Sequence, residues 1–355
     1  YEARPKANGQ NGHAELYLKS LYEKGIDGLI ADIKSRKAAA KDAAALEAYE
    51  SFIMALEGLS AFIRHAGDTV EKALQAASAE RKAELQEMLE SCRRVEHAPA
   101  QSFRDALQLL WFATSGAMWM GDVYLLVPGR IDRGLIGFYR RDIEFNRISE
   151  EKALKLIEHL YLLINHFVSD GLAVSVMVGG SDKDGKDLTN ELSYLCLEAL
   201  RRTNLCYPTV GVCWHQGMPE KLTDLAVELI SKGYTTPAFF GDETIQKGMR
   251  SYGVPPEEAC DYINSTCVEI TPCGSSNNWV ASPYFPLCKM LLDEIDSQIA
   301  AGSQGESFDS FVGSYFKRLS SAIAKAVETE NCNRKMRADN AAKPLQSVFT
   351  RDCIA

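Results

Sequence analysis

Between residues 123 and 270 the chain alternates short, almost wholly apolar segments with longer amphipathic ones. Apolar runs of four to eight residues bounded by turn residues predict strands, and a 3.6-residue apolar period predicts helices. Predicted strands cover 123–127, 172–178, 209–214, 237–240 and 262–270, and predicted helices cover 150–167, 188–201, 219–231 and 242–252. Apolar strands separated by helices are typical of a parallel sheet covered on both faces. The sequence therefore predicts an α/β fold, with the sheet either open or closed into a barrel.

Helical patterns dominate the two flanking regions. Residues 14–94 have the periodicity of three helices, and two more are predicted over 285–299 and 308–328. Ser102 followed by Asp105 is a capping signal for a buried helix that starts the α/β part. We therefore expect a helical N-terminal layer over 1–100 and a core over 101–355 that forms one structural unit.

Composition excludes several classes of protein. The net charge of −9 disfavours a nucleic-acid partner, and no apolar run reaches the length of a membrane span. The ten cysteines include no Cys-x-x-Cys pair, which favours reduced thiols and a cytoplasmic location. No two of the six histidines have the spacing of a helical zinc pair, so no metal site is predicted.

The segment 264–279 contains the best candidates for catalytic residues. Val268–Thr271 is a β-branched run that predicts extended backbone, in which Cys267 and Glu269 share one face. A buried thiol beside an unrelated charge would give the same tripeptide. A negative neighbour raises a thiol pKa, which favours a thiol that reacts without ionising over the thiolate of a hydrolase.

Cys267-Val268-Glu269 resembles the cysteine loop of the glycyl radical enzymes, the pyruvate formate-lyase-like group that includes diol dehydratases and choline lyases. Four other segments resemble the same family in the same order along the chain. They are Ser-Phe-Arg-Asp-Ala-Leu-Gln (102–108), Pro-Gly-Arg-Ile-Asp (128–132), the glycine-rich turn and helix of 179–194, and Pro-Ala-Phe-Phe-Gly-Asp-Glu (237–243). The likeness thus extends over most of the chain.

The resemblance implies an α/β barrel of ten strands, built from two parallel five-stranded halves, surrounded by helices and incomplete in this chain. The cysteine loop would thread into its centre. Cys267 would become a thiyl radical that abstracts hydrogen from substrate, and Glu269 would act as general base. The complete enzyme would be a lyase or dehydratase that acts on a small organic molecule.

The family stores its radical on a glycine in an Arg-Val-x-Gly-Tyr/Phe segment, which this sequence lacks. We expect the chain to be a piece of a longer enzyme and inactive by itself; a separate glycyl-radical subunit is the alternative. The resemblance implies no directly bound cofactor. It implies instead an activating partner that uses S-adenosylmethionine and an iron–sulfur cluster to install the radical. A homo-oligomer is left open.

Departures from the family pattern concern the substrate. His13 resembles a substrate-facing Gly-His, and Tyr124 and Trp279 are further candidates for substrate contact. Ala281 stands where many diol dehydratases of the family have aspartate, and a single cysteine follows Thr266 where pyruvate formate-lyase has two. A less hydroxylated substrate, such as an amine or an aromatic acid, is therefore expected, and acyl transfer is disfavoured. A catalytically silent scaffold or binding subunit and a thiolate-dependent hydrolase remain as alternatives.

Overall fold

The computed structural model describes residues 9–120, 123–167, 174–264, 269–275, 279–281, 286–302, 307–340 and 344–351. The chain divides into two compact units. The larger contains Asn11–Asn278 and Lys343–Ala355, and the smaller contains Tyr1–Gln10 and Trp279–Ala342. None of the helices in these described ranges is long and apolar enough to cross a bilayer.

Four helices form the first part of the larger unit: α1 (Lys19–Ala39), α2 (Ala43–Ala76), α3 (Ala79–Val95) and α4 (Phe103–Trp119). The first three confirm the helices predicted before residue 94. The capping box predicted for α4 is also confirmed, since the Ser102 hydroxyl accepts the Asp105 N–H at 3.0 Å and Asp105 accepts the Ser102 N–H at 3.1 Å. These bonds satisfy N–H groups that the first turn cannot pair internally.

Strands and helices then alternate as the apolar pattern predicts. The strands of the larger unit are β1 (Gly9–Glu15, of which residues 11–15 belong to this unit), β2 (Tyr124–Val127), β3 (Ser175–Gly179), β4 (Thr209–Trp214), β5 (Ala238–Gly241), β6 (Tyr262–Asn264) and β7 (Ile270–Pro272). The remaining helices are α5 (Ile131–Gly134), α6 (Ile136–Glu144), α7 (Glu150–Phe167), α8 (Glu191–Thr203), α9 (Glu220–Ser231), α10 (Asp242–Ser251), α11 (Pro256–Ala259) and α14 (Pro344–Val348).

The strand pairing is mostly parallel. Strands β3, β4 and β5 form a parallel sheet in that order, with Ser175 opposite Thr209 and Gly211 opposite Ala238. Strand β1 pairs in parallel with β2, so that Glu15 lies opposite Val127. The α/β class is thus confirmed, whereas closure into a ten-stranded barrel is not seen in the described ranges.

One predicted strand is wrong. A single strand over 262–270 was expected, but β6 and β7 are two three-residue strands that pair antiparallel, with Asn264 opposite Ile270. The residues at both ends of this segment are apolar or β-branched, and periodicity alone does not mark a reversal of direction. Glu269 therefore lies immediately before β7, and Cys267 lies outside the described residues.

The smaller unit contains strand β8 (Trp279–Ala281) and helices α12 (Leu287–Ala300) and α13 (Phe308–Asn340). Arg318 on α13 joins the two helices, with its Nε 2.6 Å from Oε2 of Glu294 and its Nη2 2.7 Å from the Ser297 hydroxyl. Helix α13 runs well past the predicted end at residue 328.

Candidate active site

A cavity of about 470 Å³ opens at the carboxyl ends of the paired strands β1 and β2. Glu15 and Val127, the last residues of these strands, both line it. Its other walls include Lys19, Tyr22 and Glu23 of α1, Leu110 and Thr114 of α4, Phe138 of α6, and Asp261 and Cys273 at the two ends of the β6–β7 hairpin. The carboxyl ends of parallel strands are the preferred ligand sites of open α/β sheets, and this volume suits a small molecule.

The Glu15 carboxyl group is the most perturbed acid of the cavity wall. Its Oε1 accepts the backbone N–H of Arg130 at 3.2 Å, and its Oε2 is buried without a hydrogen-bond partner among the described residues. Burial, and secondly the negative charge of Asp261, raise the pKa of Glu15 to about 8, although hydrogen bonds from Cys273 and Arg130 oppose the shift. Glu15 is therefore protonated and neutral at pH 7.

Cys273 is coupled to Glu15 across the cavity wall. Burial raises the pKa of the Cys273 thiol well above its ordinary value, and the charges of Glu15 and Asp261 act in the same direction. The thiol therefore remains protonated at neutral pH. A thiol held in this state is a poor nucleophile.

Asp261 anchors the base of the hairpin. It accepts a hydrogen bond from Nη2 of Arg351 at 3.0 Å, and Nη1 of Arg133 lies 3.9 Å from its other oxygen. Arg351 Nη2 also donates to the Cys273 carbonyl at 3.0 Å. Two arginines thus share one aspartate beside the cavity.

The Pro-Gly-Arg-Ile-Asp segment ties several strands together. Arg130 is buried and donates to the carbonyl oxygens of Gly179 and Tyr262. Asp132, which is fully buried, accepts the Gly179 N–H at 2.8 Å and the Ser193 hydroxyl at 2.9 Å. The segment therefore fixes the ends of β3 and β6 against α8, and Arg130 also lines the cavity.

Gly129 is predicted to be intolerant of a side chain. Its φ is +60°, and a Cβ there would lie 2.2 Å from the Glu15 carboxyl group. Gly129→Ala should lower the free energy of unfolding by about 2 to 5 kcal/mol, because left-handed strain and overpacking add. Gly185→Ala is the matched control, since its φ is +85° but nothing lies within 4 Å. Urea denaturation that gave equal losses for the two variants would contradict the close approach of Glu15 to Gly129.

The structure describes the five site residues predicted from the sequence to different extents. Cys267 lies outside the described residues, and Glu269 is exposed immediately before β7. His13 lies in β1, although a loop was expected, and Tyr124 and Trp279 lie in β2 and β8. The side chains of these last three lie outside the described part of the chain. In the larger unit, Gly12 pairs with Tyr124, so the strands that carry His13 and Tyr124 are adjacent.

The cavity brings together residues that sequence reasoning did not select. Glu15, Arg133, Asp261 and Cys273 come from four separate segments, and no short motif joins them. One signal was available for Glu15: it lies two residues after His13, so the two share a face if this segment is a strand.

The described cysteines are all free thiols. They are Cys92, Cys196, Cys206, Cys213, Cys260, Cys273, Cys288 and Cys332. Within the ranges that the structure describes, no group of three or more His, Cys, Asp or Glu side chains could hold a metal ion.

Comparison with known proteins gives matches over nearly the whole chain. The family model described as pyruvate formate lyase-like matches residues 2–355. The chain is 29% identical to (2S)-3-sulfopropanediol dehydratase of Klebsiella oxytoca over 97% of this chain and 45% of that protein. It is 30% identical to isethionate sulfite-lyase of Oleidesulfovibrio alaskensis over 82% of this chain and 38% of that protein. The chain thus spans less than half the length of these relatives.

A solved structure resembles the fold closely. The glycerol-bound B12-independent glycerol dehydratase from Clostridium butyricum matches with a TM-score of 0.85 and 26% identity, over 97% of this chain and 47% of that one. A likeness of this extent covers both the helical and the α/β parts described above.

Proposed function

The chain belongs to the pyruvate formate lyase-like family, and from this membership we propose that it forms the core of a glycyl radical lyase or dehydratase acting on a small organic substrate. The match over residues 2–355 is the observation that carries the proposal. Relatives that cover most of the chain are named dehydratases and lyases, which supports the same reaction class. The finer fold expected with it is the ten-stranded barrel, with a helical layer over 1–100 and a core over 101–355.

Cys267 and Glu269 carry the proposed chemistry. A radical stored elsewhere in the complete enzyme takes the hydrogen atom from the Cys267 thiol, so that the S–H bond breaks and a thiyl radical remains. The sulfur of Cys267 then takes a hydrogen atom from a substrate carbon, forming an S–H bond and leaving a carbon-centred radical. The Glu269 carboxylate accepts a proton from the substrate hydroxyl or a related group, and the neighbouring C–O, C–N or C–C bond breaks. Where the leaving group is a hydroxide or an amine, the protonated Glu269 returns the proton to it. The product radical regains the hydrogen atom from Cys267.

Glu269 is exposed immediately before β7, and the ion pair between Asp261 and Arg351 lies beside the start of β6, which supports a role for this region at the surface of the core. We propose that His13, Tyr124 and Trp279 contact the substrate. With leucines at 125 and 126, and Ala281 two residues after Trp279, we favour a weakly hydroxylated substrate, such as an amine or an aromatic acid.

The proposal includes one partner protein, an activating enzyme. A radical S-adenosylmethionine enzyme would install the glycyl radical, and the complete enzyme would work in an anaerobic cytoplasm. The relatives' greater length leaves room for a glycyl-radical segment that this sequence does not contain.

Electron paramagnetic resonance tests the proposal on the full-length protein. After anaerobic treatment with an S-adenosylmethionine-dependent activase, we expect a glycyl radical signal, and a screen of small alcohols, amines and acids should then reveal turnover. Absence of an Arg-Val-x-Gly-Tyr/Phe segment from the whole gene, together with no radical signal, would favour a catalytically silent scaffold. Rapid labelling of Cys267 by iodoacetamide near neutral pH would instead favour a thiolate hydrolase.

A further inference from the structure

Strands β6 and β7 are too short to hold their own position. Each has three residues, and together they form a sheet of two strands. An isolated two-stranded sheet is only marginally stable in water, so its position depends on contacts with the rest of the molecule. At one end these contacts come from Arg351, whose Nη2 atom donates to the Asp261 carboxylate and the Cys273 carbonyl. At the other end, where Asn264 lies opposite Ile270, they come from β3.

Strand β3 binds both backbone groups of Asn264. The Ser175 hydroxyl donates to the Asn264 carbonyl oxygen, and the Asn264 N–H donates to the sulfur of Met177. Ser175 and Met177 are two residues apart on one strand, so they share a face. Both are fully buried, and Asn264 is 3% exposed. A buried hydroxyl on a strand that is otherwise apolar needs a hydrogen-bond partner, and the Asn264 carbonyl is that partner.

The backbone of β3 is fixed along both edges at these two residues. On one edge Gly129 accepts the Met177 N–H at 3.0 Å and donates its own N–H to the Ser175 carbonyl at 3.3 Å. On the other edge β3 pairs with β4, where Met177 lies opposite Gly211. Because Gly211 has no side chain, it leaves room for the Met177 methyl group, which lies 3.3 Å from where a Cβ would be. Side chains carried by a strand that is held in this way keep precise positions.

We propose that Ser175 and Met177 are positioning residues for Glu269. Glu269 directly precedes Ile270, the ladder partner of Asn264. Neighbouring Cα atoms are about 3.8 Å apart, so a fixed Asn264–Ile270 pair restricts where the Glu269 carboxylate lies. A general base must be within hydrogen-bond reach of the proton that it accepts, and small displacements lower its efficiency. The inference rests on the proton-accepting role proposed above for Glu269.

Hydrogen exchange followed by mass spectrometry tests the anchoring without turnover, on the full-length protein before activation. In Ser175→Ala the amides of β6 and β7 should exchange about tenfold faster than in wild type, whereas those of α9 should be unchanged. Ser115→Ala is the matched control, because Ser115 is 1% exposed and its hydroxyl donates to the Trp111 carbonyl of α4 at 2.6 Å. It should leave exchange in β6 and β7 within about twofold of wild type. Wild-type exchange in Ser175→Ala, or an equal effect of the two variants on these strands, would overturn the proposal.

Kinetics of the activated full-length protein test the link to Glu269. Ser175→Ala should lower kcat about tenfold, with KM within about twofold of wild type and the glycyl radical signal unchanged. Ser175→Thr keeps a hydroxyl and should recover most of the loss. In a Glu269→Gln background, Ser175→Ala should change kcat by less than about twofold, because the base that it positions is already absent. A loss in that background as large as the loss in wild type would contradict the positioning role.

These outcomes separate the positioning role from the proposed function. If activated wild type shows neither a radical signal nor turnover, the proposed function fails. If wild type turns over and Ser175→Ala has the same kcat, only the positioning role fails. Should Ser175→Ala not fold, Met177→Leu replaces it in both experiments, because leucine has nearly the volume of methionine but no sulfur to accept the Asn264 N–H.

Discussion

Asp132→Ala should lower the free energy of unfolding by about 3 to 5 kcal/mol, the range for breaking a buried ion pair by removing one partner. Asp132 is fully buried beside Arg130, with Oδ1 3.7 Å from the guanidinium Nε. Its other oxygen accepts the Gly179 N–H and the Ser193 hydroxyl. The truncation would leave a buried cation without its nearest counter-charge and two donors without their acceptor. Urea denaturation followed by circular dichroism measures the loss.

Two companion variants make the result specific. Asp184→Ala removes an aspartate whose side chain is 73% exposed, and it should change stability by no more than about 0.5 kcal/mol. Asp132→Asn keeps an acceptor of the same shape but removes the charge, so its loss should lie between the other two. If Asp132→Ala cost no more than Asp184→Ala, the Pro-Gly-Arg-Ile-Asp segment would not be the tie that the structure indicates.

Cys267→Ser should reduce turnover of the full-length, activated protein by about a thousandfold or more, since the reacting atom itself is removed. A hydroxyl O–H bond is stronger than a thiol S–H bond, so serine cannot be oxidised by the stored radical. Glu269→Gln should cost less, about 10²- to 10⁴-fold, which is the usual contribution of a general base. Both are measured as kcat under anaerobic conditions once a substrate is found.

Cys206→Ser is the matched control, because Cys206 is an exposed free thiol outside the cavity and the hairpin. Its turnover should equal that of wild type. Equal losses in Cys206→Ser and Cys267→Ser would indicate damage to folding or activation rather than removal of the reacting sulfur.

The sequence predicted the elements whose identity is decided locally. Strand β4 was predicted with its observed bounds, Thr209–Trp214, because a β-branched apolar run between helices has no competing interpretation. The capping box of α4 was predicted for the same reason, since its hydrogen bonds join residues only three apart. Local propensity and final structure agree at these positions.

Strand β1 and the β6–β7 hairpin could not be predicted in this way. The sequence of β1, Gly-Gln-Asn-Gly-His-Ala-Glu, has no β-branched residue, and it becomes a strand through its pairing with β2. Glu15 and Cys273 approach each other only because β1 and the hairpin meet in the folded chain. The perturbed pKa of Glu15 arises from that meeting, and no spacing along the chain encodes it.

Turnover and radical content measured on one sample of activated, full-length Cys267→Ser test whether Cys267 transmits a stored radical to the substrate. We expect a glycyl radical signal of wild-type intensity by electron paramagnetic resonance, together with no detectable product. Product formation at the wild-type rate per radical would contradict this expectation.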